Sequence, residues 1–137
     1  IRTEHLDRLR DGGMAFTDGH STSAVCTPSR YSIMTGRYNW RSRLKSGVTW
    51  GYSNALIEEA RLTVAQMLKQ EAYRTACFGK WHLGWEWVKA GAEEDEEGLP
   101  RPEEQGVVGD RADDSLDVDF SRPIANGPTT KGFEHFA

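Results

Sequence analysis

Apolar positions recur at helical spacing in three stretches of the chain and crowd into short strand-like runs in two others. Leu6 and Leu9 lie one turn apart behind Thr3, which predicts a short helix capped by Thr3 and stopped by a left-handed turn at Gly12-Gly13. Met14 to Thr17 alternates weakly and predicts a short strand, and Gly19 to Thr27 has loop composition. Pro28 suits a first helical position, where a missing N–H costs nothing; Tyr31, Ile33 and Met34 follow, and Gly36 supplies the stop. On this reading Cys26 stands just before a helix N-terminus.

Gly36 to Arg61 sustains no period and is rich in Gly, Ser, Asn and Trp, which predicts a long packed loop. Thr63-Val64-Ala65-Gln66 fits a capping box, with Val64, Met67 and Leu68 as the apolar stripe of the helix behind it. Tyr73 to Gly79 reads as a buried strand that ends at Gly79-Lys80-Trp81-His82. Helix followed by strand, with polar residues at the strand's C-terminal end, predicts an α/β architecture with its ligand site there. Residues 91–119 are acidic, punctuated by Gly and Pro, and predict an exposed insertion; apolar residues return from Val118 to Ala137.

Length and charge sharpen this picture. A chain of 137 residues can bury a core, but it begins at Ile1 without Met and stops in an apolar pattern, so we read it as part of a longer chain. No apolar run approaches the roughly 18 residues of a membrane span, and no signal peptide precedes the first helix. Two cysteines, Cys26 and Cys77, form neither a disulfide framework nor a CxxC knuckle, leaving the compartment open. The net charge is −4, yet residues 91–119 hold twelve acids against Arg101 and Arg111, so the remainder carries +6. No acid occurs between Gly19 and Ile57, whereas Arg30, Arg37, Arg41, Arg43 and Lys45 do, and that stretch suits an anionic ligand. The acidic run lacks the DxDxDG spacing of an EF-hand and reads as solvated rather than calcium-binding.

A cysteine at a helix start is activated in principle, because unpaired N–H groups and the helix dipole stabilise an anion there, and Arg30 lies one turn on. A lone Cys is equally well a buried apolar residue. Taken singly, Lys80 suits a surface lysine, His82 a satisfied core histidine and Arg37 a helix C-terminal cation. Trp85 and Trp87 fit core packing better than stacking on a sugar, and Cys77 reads as buried and inert.

The string Cys26-Thr27-Pro28-Ser29-Arg30, followed by Thr35-Gly36-Arg37, resembles the sulfatase family, whose pattern is C/S-x-P-x-R with a downstream TGR. Thr3 to Leu9 with Gly13 to Thr17 is similar to the family's TPNLDRLAxxGxxFT segment, and Gly79-Lys80-Trp81-His82-Leu83-Gly84 to its second motif. Asp119-Phe120, Pro123-Ile124, Gly127 to Thr130 and Gly132-Phe133 resemble the PI..GPTT.GFD stretch of bacterial members. Glu4 replaces a frequent Pro, and Glu134 an Asp.

The resemblance implies part of the N-terminal catalytic domain over residues 1–137, with the alkaline-phosphatase-like sandwich, a mixed sheet flanked by helices, incompletely represented. It implies that Cys26 is oxidised to formylglycine by a formylglycine-generating or anaerobic sulfatase-maturing enzyme. One hydroxyl of the hydrated aldehyde attacks the sulfur of a sulfate ester; the other lets the intermediate collapse. Arg30 would hold the diol, Lys80 would bridge it to a sulfate oxygen, and His82 would assist deprotonation of the second hydroxyl. Calcium is implied, with position 26 as one ligand and the others outside this chain; Asp113-Asp114 is not assigned to it. A sulfated carbohydrate or aryl sulfate is the expected substrate, in the periplasm or outside the cell, with no nucleic-acid partner and no membrane segment. The competing readings are a phosphonate or phosphate monoester hydrolase of the same superfamily, a truncated and inactive piece, and a polyanion-binding module. The segment alone is expected to be marginally stable.

Overall fold

The computed structural model describes residues 2–88 and 118–137. The acidic insertion expected at 91–119 therefore lies outside the described residues except for Val118 and Asp119, and Asp113-Asp114 lies wholly outside them.

Helix α1 spans Glu4–Asp11. Thr3 does not cap its backbone: the hydroxyl donates instead to the Asp7 carboxylate at 3.2 Å. Gly12 stays right-handed (φ −89°), correcting the left-handed stop, because Gly13 N–H already reaches Arg10 C=O at 3.2 Å in a tightened last turn. Leu6 and Leu9 are exposed. The strand expected at Met14 to Thr17 does not form, and Met14 and Phe16 are exposed; a strand needs a ladder partner, and the described residues place none beside it.

Helix α2 spans Cys26–Thr35, so Cys26 is its first residue rather than the one before it. Pro28 sits two positions further in and is tolerated, since N–H groups of a first turn have no intrahelical acceptor. Gly36 closes the helix at φ 66°, its N–H on Ser32 C=O at 2.8 Å. Thr27, Tyr31 and Met34 are buried at i, i+4 and i+7, whereas Ile33 falls on the opposite side and is exposed. The long loop behind α2 is packed as expected, with one 3-10 turn at Asn39–Arg41. Leu44, Leu56 and Ile57 from that loop join Tyr31, Met34, Trp81 and Leu83 in the core, with Cys77, Trp85 and Phe133 packed against it. Arg43 pins the loop by donating from Nη2 to Asn54 and Ala55 C=O at 2.7 and 2.6 Å.

Helix α3, Val64–Gln70, begins on the expected capping box: Gln66 N–H donates to Thr63 Oγ1 at 3.2 Å, and Thr63 N–H to Gln66 Oε1 at 2.9 Å. Its buried residue is Ala65, while Val64 and Met67 of the expected stripe are exposed. The chain at Gly132 explains the difference, because a Cβ there would lie 2.5 Å from Gln66 N and 2.8 Å from Ala65 C. Backbone packs on backbone at this contact, so only small residues fit. Lys131 beside it is buried and donates from Nζ to Glu58 and Glu59 C=O at 3.0 and 3.3 Å, and its own C=O accepts from Thr63 Oγ1 at 2.6 Å.

Strand β1 (Ala76–Cys77) pairs in parallel with β2 (His135–Phe136). Bonds from Glu134 N–H to Thr75 C=O (2.9 Å), Ala137 N–H to Cys77 C=O (3.1 Å) and Gly79 N–H to Ala137 C=O (2.6 Å) carry the ladder across most of the predicted strand. The strand is not the buried one expected: Tyr73, Ala76 and Phe78 are exposed, because a two-stranded ladder leaves its faces open among the described residues. Both strands follow the three α-helices in chain order, so among the described residues the α/β expectation is met only by the presence of helices and one parallel pair. An isolated antiparallel bridge also joins Glu86 with Ala125. Asp119 N–H meets Val88 C=O at 2.8 Å.

Two outcomes follow from this packing. Gly84 has φ 72° and its Cβ position overlaps Asn54 C=O, so Gly84→Ala is expected to lower unfolding free energy by more than about 2 kcal/mol in urea titrations. Burial raises the Glu86 carboxyl above its ordinary value, opposed by the Ala55 N–H and by Arg43. The folded state therefore binds more protons than the unfolded one just above the ordinary carboxylate range, and this group makes stability fall as pH rises through that window. Glu86→Gln should remove that slope in melts recorded from acid to neutral pH.

Candidate active site

Residues 80–84 are built by alternation. Trp81 and Leu83 are buried in the core, Trp81 Nε1–H donates to Gly84 C=O at 3.0 Å, and Leu83 C=O accepts from Leu56 N–H at 2.7 Å. Lys80 is left exposed and His82 half-buried, both just beyond β1. Helix α2 then meets this turn through its own first residues. Arg30 donates from Nη1 to Lys80 C=O, and Thr27 Oγ1 donates to His82 C=O at 3.0 Å. Cys26 precedes Thr27, so the structure brings the first turn of α2 to Lys80 and His82 across more than 50 residues of sequence.

Two polar atoms at this junction are buried without a hydrogen-bond partner, Arg30 Nε and His82 Nδ1. The ring's other nitrogen, Nε2, lies 2.8 Å from Thr49 C=O. A carbonyl only accepts, so Nε2 carries the hydrogen and neutral His82 presents Nδ1 as a bare lone pair. The junction thus offers a fixed guanidinium N–H, a proton acceptor, an exposed ammonium and the Cys26 position. That set fits an oxyanion at which a proton must be removed.

A profile of the sulfatase family matches residues 1–130, the stretch that contains this whole junction. The chain belongs to the sulfatase family.

Individual sulfatases agree. The chain is 45% identical over 84 residues to the N-acetylgalactosamine-6-O-sulfatase of Bacteroides thetaiotaomicron, covering 61% of this chain and 16% of that protein. Human steryl-sulfatase is 43% identical over 89 residues (61% and 15%), and human arylsulfatase A 40% over 82 residues (60% and 16%). A solved structure concerned with the metabolism of multiple glycosaminoglycans by Bacteroides thetaiotaomicron superposes with a TM-score of 0.66 at 33% identity, over 98% of this chain and 22% of that one. The chain spans about a sixth of the length of the curated relatives it matches.

The four residues singled out as catalytic, Cys26, Arg30, Lys80 and His82, lie on the two segments that meet at this junction. Arg37, just past the end of α2, has its N–H on Thr35 Oγ1 at 3.3 Å. Trp85 stacks edge-on with Phe136, and Trp87 with Tyr52 and Phe120, as expected of packing residues. Thr49 went unrecognised: it is buried, bonds His82 at both ring and backbone, and stands in a loop with no period or motif to mark it. Among the described residues no three His, Cys, Asp or Glu side chains group to hold a metal ion.

Cys77 is half-buried rather than fully so, and burial raises its thiol pKa, partly offset by Arg30. A raised pKa lowers the thiolate fraction at neutral pH, so iodoacetamide should label Cys77 several-fold more slowly in folded protein than in urea, as read by peptide mass spectrometry. Equal rates would show that the site is open.

Proposed function

We propose that the protein containing this chain hydrolyses sulfate esters, with sulfated carbohydrate as the substrate class, from a formylglycine made at Cys26. The observation that carries this reading is the junction itself, where Arg30 Nε and His82 Nδ1 stand buried and unpaired next to Lys80 and the first turn of α2. Names of the relatives support the sulfate ester, and the N-acetylgalactosamine and glycosaminoglycan descriptions support the carbohydrate. The wider fold proposed is the alkaline-phosphatase-like sandwich, of which the β1–β2 pair and its helices are one part. A maturing enzyme would oxidise Cys26, and the periplasm or cell exterior is the compartment proposed. In the described residues no helix is long and apolar enough to cross a membrane.

Formylglycine supplies, once hydrated, an oxygen nucleophile and a route for releasing sulfate. The chain's own residues do the rest. Arg30, fixed through Nη1 on Lys80 C=O, turns Nε toward an anion; Lys80 adds a mobile cation for a sulfate oxygen; and His82 Nδ1 accepts a proton from a hydroxyl. Among the described residues no three His, Cys, Asp or Glu side chains group to hold a divalent cation, leaving position 26 as the candidate ligand, whereas calcium takes 6–8 oxygens. The described residues alone do not make that site. Activity is accordingly proposed for the whole protein and not for these 137 residues alone.

In the full-length protein co-expressed with a maturing enzyme, the Cys26 peptide should carry the formylglycine mass. Cys26→Ala should abolish sulfate-ester turnover, and His82→Ala should lower kcat by roughly 10²–10⁴. An unmodified thiol in active protein would overturn the nucleophile. Faster turnover of a phosphonate than of a sulfate ester would instead favour the phosphonate monoester hydrolase reading.

A further inference from the structure

We propose that Thr49 is a positioning residue for His82, an inference that rests on the ester-hydrolysis reading above. Thr49 is 2% exposed and belongs to the loop behind α2. It grips His82 at two points: its C=O accepts from ring Nε2 at 2.8 Å, and its Oγ1 donates to His82 C=O at 3.1 Å. Thr27 completes the arrangement. Its Oγ1 donates to the same His82 C=O at 3.0 Å and accepts Thr49 N–H at 3.2 Å, with the two hydroxyl oxygens 3.2 Å apart. Each hydroxyl hydrogen therefore goes to one carbonyl, and that carbonyl takes both.

The receiving residue is conformationally unusual. His82 has φ 55°, in the left-handed region that costs a non-glycine residue roughly 1–2 kcal/mol and persists only where its surroundings over-determine it. Two hydroxyls on one carbonyl and a third bond on the ring provide that over-determination. The backbone grip sets where the ring stands, and the ring grip sets which nitrogen is bare. Releasing the backbone lets His82 leave the left-handed basin and moves Nδ1 from the place it holds at this junction. Of the three bonds, the Thr49 hydroxyl is the one that a substitution outside the Cys26 to Arg30 motif can delete while leaving Thr49 C=O in place.

The test uses the full-length protein with Thr49→Val, Thr49→Ala and Thr49→Ser, formylglycine content being matched by mass spectrometry. Loss of the hydroxyl in Thr49→Val or Thr49→Ala should lower kcat roughly five- to tenfold with KM held within about twofold, and Thr49→Ser should return kcat to within about twofold. Equal kcat in all variants, an equal loss in Thr49→Ser, or a loss confined to KM would overturn the role. A crystal structure of Thr49→Val, or of Thr49→Ala if the first does not fold, reads the same point without substrate. His82 should leave positive φ or lose the Nε2 bond; an unmoved ring overturns the inference whatever the substrate proves to be. Absence of sulfate-ester turnover in unmutated protein, with His82 displaced in the variant, would sink the functional reading and leave the positioning role standing.

Discussion

The carbonyl of His82 is the point on which the arrangement turns. Thr27 from the first turn of α2 and Thr49 from the following loop both donate to it, and Arg30 makes a parallel attachment two residues earlier at Lys80 C=O. These bonds join segments that the sequence separates by more than 30 residues, and each of them ends on backbone. A backbone acceptor has a direction and a fixed place, so the turn after β1 is set against α2 in one register. Core packing of Trp81 and Leu83 supplies the apolar energy, and the hydroxyls decide which way the remaining residues face.

Cations play the same part elsewhere in the fold. Arg43 donates to two loop carbonyls, and buried Lys131 to two more at Glu58 and Glu59. Burial lowers the Lys131 pKa, with Glu59 and Glu58 opposing. Ion pairs of Arg10 with Asp7 and Asp11 lie instead on exposed α1, where they contribute little. Loops of this protein are thus held by charge-assisted bonds to the main chain, which suits a segment with few regular elements.

How much could be read beforehand depended on whether a feature was local. Gly36 as a left-handed stop and Thr63 with Gln66 as a capping box are contained within a few residues, and both stand as expected. The Met14 to Thr17 strand failed because alternation describes a strand's faces but not its partner. Val64 and Met67 of the expected stripe stayed exposed because the partner of α3 proved to be a glycine backbone rather than an apolar surface. The start of α2 moved to Cys26 because proline is tolerated throughout a first turn, so it marks the turn and not its first residue. The proposed site residues Cys26, Arg30, Lys80 and His82 were legible through motifs, whereas Thr49 meets His82 through contacts that only the folded chain creates.

The hydrogen bond between Asp119 and Val88 has a consequence for how such a chain can change over time. The two flanks of residues 89–118 are held together by a bond of 2.8 Å, so the span between the joined ends stays constant however many residues lie between them. Each doubling of such a segment costs only about 0.6 kcal/mol of closure entropy. Relatives can therefore diverge in length and charge between Val88 and Asp119 while these two ends stay joined.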